Sequence, residues 1–313
     1  MLTFILRRIL SGVVMILVIT VLAFMLLYLG SGNIARTIVG QNATQEVVAK
    51  KAAELGLDRP LFVQFWDWAT SAITGDLGRS YFNGQLVSVQ LASRLSVTLS
   101  IVIGAILVTA IFSVILGILA ARRGGGVDST VQFFSIIGFA IPGFLIALYL
   151  VLIFAINLHW FKATGYIPIT TSFTGWLSSV TLPIIALAIG GIATITQQVR
   201  GSVIDGLSRD YVRTLRSRGL SSNRVVYKHV LRNAGGPALA LLAVSFVGMV
   251  GGAVIVEQIF ALPGIGSLTV TAASSGDIPV VMGLVIVYAL IAIVVNLLID
   301  LAQAALNPKV RLS

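Results

Sequence analysis

Between Arg200 and Arg232 the chain carries eight basic side chains and two acidic ones. A cationic run of this kind can pair with an acidic protein face or touch anionic lipid. Its internal order is more specific than its charge. Asp210-Tyr211-Val212-Arg213-Thr214-Leu215-Arg216-Ser217-Arg218-Gly219-Leu220 reads as a short basic helix ended by glycine. Glycine is favoured just past a helix end because it accepts the left-handed conformation at little cost. Arg213, Arg216 and Arg218 are placed to meet acidic groups, whereas Arg200 and Arg209 flank the membrane. After Ser221-Ser222-Asn223 a second helical stretch runs through Val225, Val226, His229 and Val230 and closes at Leu231-Arg232-Asn233. Helix, glycine turn and helix make a stiff protrusion that a soluble partner can push against.

Catalytic chemistry has little to work with. No G-x-x-x-x-G-K-[ST] loop is present to cradle phosphate. Gly124-Gly125-Gly126 lacks the Lys-Ser/Thr that would reach phosphate and magnesium, and reads as a flexible turn. Cysteine is absent, so there is no disulfide framework and no thiolate metal site. His159 and His229 fall on opposite sides of the membrane in the topology derived below, so they cannot share a metal. Glu257 is the one carboxylate near the end of an apolar span that needs a reason, since a charge there must snorkel, pair or face water. Two readings of it stand: a satisfied interfacial carboxylate, or part of an outer gate beside Phe260 and the Pro263–Gly266 turn. Pro142 and Pro183 lie inside apolar spans, where they loosen helical bonding and can kink a helix. Gly248, Gly251 and Gly252 read as close helix-packing positions.

The elements that position these residues follow from composition. The 313-residue chain is 57% hydrophobic and 10% charged, against about 25% charged in a soluble domain. A globule of that composition has too little polar surface to cover itself, so lipid is the solvent. The net charge of +10 does not imply nucleic acid, because the basic residues sit between apolar spans rather than on one soluble face. Charged residues punctuate six apolar stretches: Ile9–Leu29, Leu95–Ala121, Ser129–Phe161, Ala163–Val199, Asn233–Val256 and Ile278–Ile299. The first has 21 uncharged residues, longer than a signal-peptide core of about 7–15 and enough to span hydrocarbon, which takes roughly 20. The third and fourth exceed one span, so Asn157, His159 and Trp160 mark an outer end and Thr170–Thr174 with Gly175 and Trp176 a loop. With Arg7 and Arg8 inside, fourteen of the 21 basic residues fall on one side, which predicts cytoplasmic termini.

Residues 30–94 lie outside in this topology and balance six basic residues against five acidic ones. Asn42 with Gln45 reads as a capping box ahead of a helix over Glu46–Leu57, although Asn42-Ala43-Thr44 also matches a glycosylation sequon. Asp58 caps a second helix with Pro60 in its first turn and Phe62, Phe65, Trp66 and Ala69 at helical spacing. The organisation expected is residues 1–29 as N-terminus and first span, 30–94 as a folded extracytoplasmic helical subdomain, and 95–313 as a five-helix core with the loop at 200–233.

The loop pattern D-Y-V-R-T-x-R-x-x-G-L, followed nine residues after its glycine by K-H-x-L-R-N, resembles the EAA loop of bacterial ABC importer permeases. More narrowly, the chain is similar to the first permease of dipeptide, oligopeptide and nickel systems. The resemblance continues in order through Leu55-Gly56-Leu57-Asp58-Arg59-Pro60-Leu61, Gly75-Asp76-Leu77-Gly78-Arg79-Ser80, Ile141-Pro142-Gly143-Phe144 and Gly165-Tyr166. It resumes at Val256-Glu257-Gln258-Ile259-Phe260, Pro263-Gly264-Ile265-Gly266 and Val295-Asn296-Leu297-Leu298-Ile299-Asp300. Asn307-Pro308-Lys309-Val310-Arg311 stands where the family has Asp-Pro-Arg. Leu215 and Ser217 stand where the family has alanine, and Gly235-Gly236 is unusual for it.

The resemblance implies an all-α polytopic membrane protein with six transmembrane helices and the type I ABC importer permease fold, in a bacterial or archaeal plasma membrane. It implies that Asp210 and Tyr211–Leu220, with Arg213, Thr214, Leu215, Arg216, Arg218 and Gly219, form the coupling helix. It places Pro142, Phe144, Glu257, Phe260, Pro263 and Gly264 along the translocation path or its gate. The implied partners are a second homologous permease, two ATPase subunits or domains that hold ATP and Mg, and an extracytoplasmic substrate-binding protein. This chain itself would bind no cofactor and would not be an enzyme. The implied cargo is di- or oligopeptide, with nickel or another small ligand as the alternative for the same machinery. A secondary transporter would need coupling-ion groups at mid-membrane, where these spans have almost no charge. A membrane-embedded enzyme would need His, Asp or Glu clustered at one depth.

Overall fold

The structure is a computed structural model describing residues 2–29 and 34–306. Helix α1 (Leu2–Leu29) is apolar beyond Arg7 and Arg8, with Leu10, Val13, Val14, Leu17 and Leu26 turned outward. That distribution suits a helix bathed in lipid rather than in water. Among the described residues five helices are long and apolar enough to cross a membrane, or six if a pair bent by 96° is counted as one span. The segment Asn307–Arg311, with its two basic residues, lies outside the described residues.

One compact unit comprises residues 1–97 and 263–294. After α1 come α2 (Ile34–Val39), α3 (Gln45–Glu54) and α4 (Leu61–Ile73). Leu61, Phe65 and Trp68 of α4 pack with Phe24 of α1, Ile34, Ile278 and Met282. The expected caps are corrected here. Thr44, not Asn42, precedes α3, and the Gln45 side chain instead accepts from Arg36 at 2.8 Å. Pro60, not Asp58, caps α4, its carbonyl accepting from the Val63 and Gln64 amides. A proline fits that place because its fixed φ suits a helix start and its missing N–H costs nothing there.

The Gly75–Ser80 segment is a docked turn. Gly75 and Gly78 have φ of +90° and +84°, and the Gly78 amide donates to Asp76 Oδ1 at 2.8 Å. Ser80 Oγ donates to the buried Asp277 carboxylate at 2.5 Å, and the Tyr81 amide donates to the same carboxylate at 3.1 Å. Asp277 immediately precedes α13 (Ile278–Leu306), so one carboxylate holds the Gly75–Ser80 turn and faces the positive end of a helix. Burial, and then the Asp277 charge, push the Tyr81 phenol above its usual range. Helix α12 (Ile265–Ser275) completes this unit.

The other unit comprises residues 98–262 and 295–313. Helix α5 (Val87–Arg123) enters it from residues expected to belong wholly to the exterior subdomain, since it starts at Val87 rather than Leu95. Of the three consecutive glycines, Gly124 and Gly125 have φ of +59° and +52°, and the turn they make opens directly into α6 (Gly125–Ala140). The third apolar stretch breaks at Ile141-Pro142, and α7 (Gly143–Leu150) continues through a π-helical turn over Val151–Asn157. Ile141 is extended, as a residue before proline prefers, and the Pro142 carbonyl accepts from the Leu145 and Ile146 amides to start the new helix. Pro183 does not break α8 (Phe173–Ser208) and is buried inside it. Ser172 caps α8 by accepting from the Gly175 amide at 3.1 Å.

The two short helices of the basic loop do not stand apart from the spans. Helix α8 runs on to Ser208, followed by α9 (Asp210–Ser217). After α10 (Ser222–Arg224), a π-helical turn over Val225–Val230 leads straight into α11 (Leu231–Ile259). The expected closure at Leu231-Arg232-Asn233 is therefore absent, and the chain passes from loop to span as one helical rod.

Candidate functional site

Helix α9 divides its side chains by a simple spacing. Tyr211, Val212 and Leu215 turn inward, whereas Arg213, Thr214, Arg216, Ser217 and Arg218 are exposed. Beneath it Val212 is buried with Val203, Val225, Val226 and Val230, and Tyr211, Leu215 and Leu220 pack against that cluster. Gly206 permits the close approach: a Cβ there would lie 2.7 Å from Val230 Cγ1. Leu215 thus takes part in the packing below α9 and is not on its cationic face.

The end of α9 is held by backbone geometry. Gly219 has φ of +79°, its amide donates to the Arg216 carbonyl at 2.9 Å, and the Leu220 amide donates to the Leu215 carbonyl at 3.2 Å. These two bonds are the Schellman pattern, in which a left-handed residue lets two carbonyls that the helix leaves open find donors. A Cβ at Gly219 would meet nothing within 4 Å, so the requirement there is conformational and not steric.

Arg200, expected at the membrane edge, pairs with a carboxylate distant in sequence. Its Nε donates to Asp128 Oδ1 and its Nη2 to Oδ2 at 2.5 Å, while Gln132 Nε2 donates to Oδ2 at 3.0 Å. The two side chains are only 22% and 18% exposed. A forked pair of this kind fixes orientation as well as charge, and it ties α8 to the first turn of α6. The 72 residues between the partners leave no local pattern from which to find it.

A cavity of about 480 Å³ opens where α6, the Ile141-Pro142 break, α7, α8 and α11 converge. Pro142 and Phe144 line it, together with Phe139, Gly190, Thr194, Ser245, Gly248, Met249 and Gly252. No charged side chain is among its lining residues, and Thr194 and Ser245 supply its only side-chain hydroxyls. Such a wall can let a ligand pass without gripping it. Gly248 and Gly252, expected at helix contacts, stand on this wall, and added Cβ atoms there would meet nothing and Leu187 at 3.5 Å respectively; Gly251 likewise has open space. Close packing falls instead to Gly104, Gly117 and Gly191, where a Cβ would come within 2.4 to 2.8 Å of Ile184, Val199 and Met249.

Glu257 does not line the cavity. It is fully buried and accepts from Thr98 Oγ1 at 2.5 Å, which ties the end of α11 to α5. Phe260 is also buried, its carbonyl accepting from the Gly165 amide at 2.9 Å. Pro263 and Gly264 belong to the other compact unit, where Gly264 precedes α12. Glu257→Ala removes the acceptor of the Thr98 hydroxyl and is expected to lower the melting temperature of the purified chain by several degrees. An unchanged melting temperature would show that this bond does not hold α11 to α5.

Comparison with known proteins covers both halves of the chain. The family model described as "binding-protein-dependent transport system inner membrane component" matches residues 113–312, and the model of the N-terminal part of such a membrane component matches residues 1–102. The "Probable peptide ABC transporter permease protein y4tP" of Sinorhizobium fredii is 37% identical over 309 residues, covering 98% of this chain and 99% of that protein. The "Glutathione transport system permease protein GsiC" of Salmonella typhi is 34% identical over 312 residues, covering 99% of each. Among solved structures, an inward-facing form of the MetNI methionine ABC transporter matches with a TM-score of 0.56 at 15% identity, covering 69% of this chain and 96% of that one. At that identity the likeness speaks for the fold alone.

Proposed function

The chain belongs to the family of binding-protein-dependent transport system inner membrane components, and from that premise we propose that it is the membrane path of an ATP-driven peptide importer. Two relatives named as peptide and glutathione permeases match nearly its whole length, which favours short peptides as cargo. The observation that carries the mechanism is α9, a short helix with a basic outer face, a buried inner face and a glycine-locked end.

In this reading Tyr211–Leu220 docks on a separate ATPase subunit, and Arg213, Arg216 and Arg218 meet acidic groups there. Charge complementarity of that sort sets register and partner choice more than raw affinity. Because α8 leads directly into the loop and α11 directly out of it, a push on α9 is delivered to two of the helices that wall the cavity. ATP with Mg binds the ATPase pair and draws it together; the cavity then faces outward, and hydrolysis returns it inward. This is alternating access with a second permease subunit completing the path. The chain supplies the path and no bond-breaking chemistry. An exterior binding protein selects cargo, in keeping with a cavity wall that lacks charge. In this reading Glu257 and Phe260 stand near the outer gate, and both termini are cytoplasmic.

Orientation is testable because the chain has no cysteine. A cysteine at position 50 is expected to react with an impermeant maleimide on intact cells, and one at position 216 only after the inner face is opened. The reverse pattern would place α9 where no ATPase can reach it and would overturn the reading.

A further inference from the structure

A second cavity, of about 600 Å³, lies against the end of α5 beside the π-helical turn that follows α10. Its wall is built by Val114, Ile115, Ile118, Leu119 and Leu231, and Arg122, Arg123 and Tyr227 complete the lining. No carboxylate lines it. Asp128, five residues after Arg123 in the chain, is already matched by Arg200. Arg122 is pre-positioned: one Nη2 hydrogen bond runs to Asn223 Oδ1 at 2.7 Å, and the guanidinium sits 5.9 Å from the centre of the Tyr227 ring. A guanidinium has five N–H donors, so most remain available to a phosphate. The Arg123 side chain makes no hydrogen bond or ion pair among the described residues.

We propose that this cavity is a binding site for one anionic phospholipid, its phosphate held by Arg122 and Arg123 and its acyl chain laid along Val114, Ile118 and Leu231. Two features select that occupant. An apolar wall supplied by residues 114–119 of a membrane-crossing helix suits an acyl chain, and two cations with no countercharge at its polar end suit a headgroup phosphate. The bound lipid bridges α5 to the turn carrying Tyr227, and so bears on the loop that contains α9.

The test uses the full-length chain in mild detergent, mixed with equal amounts of phosphatidylglycerol and phosphatidylcholine of the same acyl chains, and read by native mass spectrometry. Each basic residue near a membrane surface is worth about fivefold in anionic-lipid binding, so phosphatidylglycerol is expected to be favoured roughly 30-fold. Arg123→Gln, which removes no bond within the protein, should cut the preference about fivefold. The Arg122→Gln/Arg123→Gln pair should bring it near parity, with the melting temperature measured alongside. Arg224→Gln/Lys228→Gln, which removes two exposed charges from outside the cavity, should leave it unchanged. Soluble glycerol phosphate should not displace the lipid. Parity in the unmodified chain, equal losses in both double variants, or displacement by glycerol phosphate would each overturn the proposal. So would a benzoylphenylalanine at position 227 that captures a polypeptide instead of lipid in membranes.

Discussion

Gly219→Val is expected to leave the chain inserted and assembled with its partners while lowering ATP-dependent uptake tenfold or more. The left-handed backbone at φ of +79° costs a residue with a Cβ about 1–2 kcal/mol, and a β-branched side chain resists it further. Relief would come by unwinding the two bonds to Arg216 and Leu215, which turns the basic face of α9 away from its buried side. Gly219→Asn separates conformation from contact. Asparagine tolerates the left-handed region, and the space around Gly219 is open, so this variant should keep most of the activity. Single neutralisation of Arg213, Arg216 or Arg218 should cost less than Gly219→Val, since exposed pairs are each worth about 0–1 kcal/mol. The measurement is uptake together with stimulation of ATP hydrolysis by loaded binding protein. Equal loss in the valine and asparagine variants would mean that the position matters for contact, contrary to the geometry.

The second large effect separates the cavity from the packing around it. Gly248→Phe is expected to lower uptake at least tenfold with little change in the melting temperature of the purified chain. Its new side chain enters the cavity of about 480 Å³, where a Cβ meets nothing within 4 Å. Gly117→Leu should do the opposite and lower the melting temperature of the purified chain. A Cβ there would lie 2.8 Å from Val199 and 3.0 Å from the Thr196 carbonyl, neither of which can swing aside. Overpacking of that kind costs about 1–3 kcal/mol. Full uptake by Gly248→Phe would show that cargo does not pass this wall.

The glycines also show where sequence reading stops. Gly219 was legible because its role is local: a polar helix, a glycine and a leucine specify a left-handed end within a few residues. Gly117 and Gly248 look alike in sequence, since what separates them is the helix each one faces. Five long spans were legible from apolar length, and the interruption of the third stretch from Pro142, although a kink was expected where the chain turns by 96°. Caps were misread at Asn42 and Asp58 because several polar residues compete within one turn of each helix start. The pairs Arg200–Asp128, Ser80–Asp277 and Thr98–Glu257 were invisible, being 72, 197 and 159 residues apart. Glu257 was recognised as costly from its place in an apolar span, but the hydroxyl that satisfies it belongs to another helix.

The central claim is that the outer face of α9 meets the ATPase. With no native cysteine to interfere, Arg216→Cys can be labelled with a photo-reactive crosslinker in the complex purified with its partners. The prediction is a crosslink from position 216 to the ATPase subunit whose yield changes on adding ATP, with none to that subunit from position 50. If a transport-competent complex crosslinks from position 216 to lipid alone, α9 is a membrane-edge connector and the coupling mechanism is wrong.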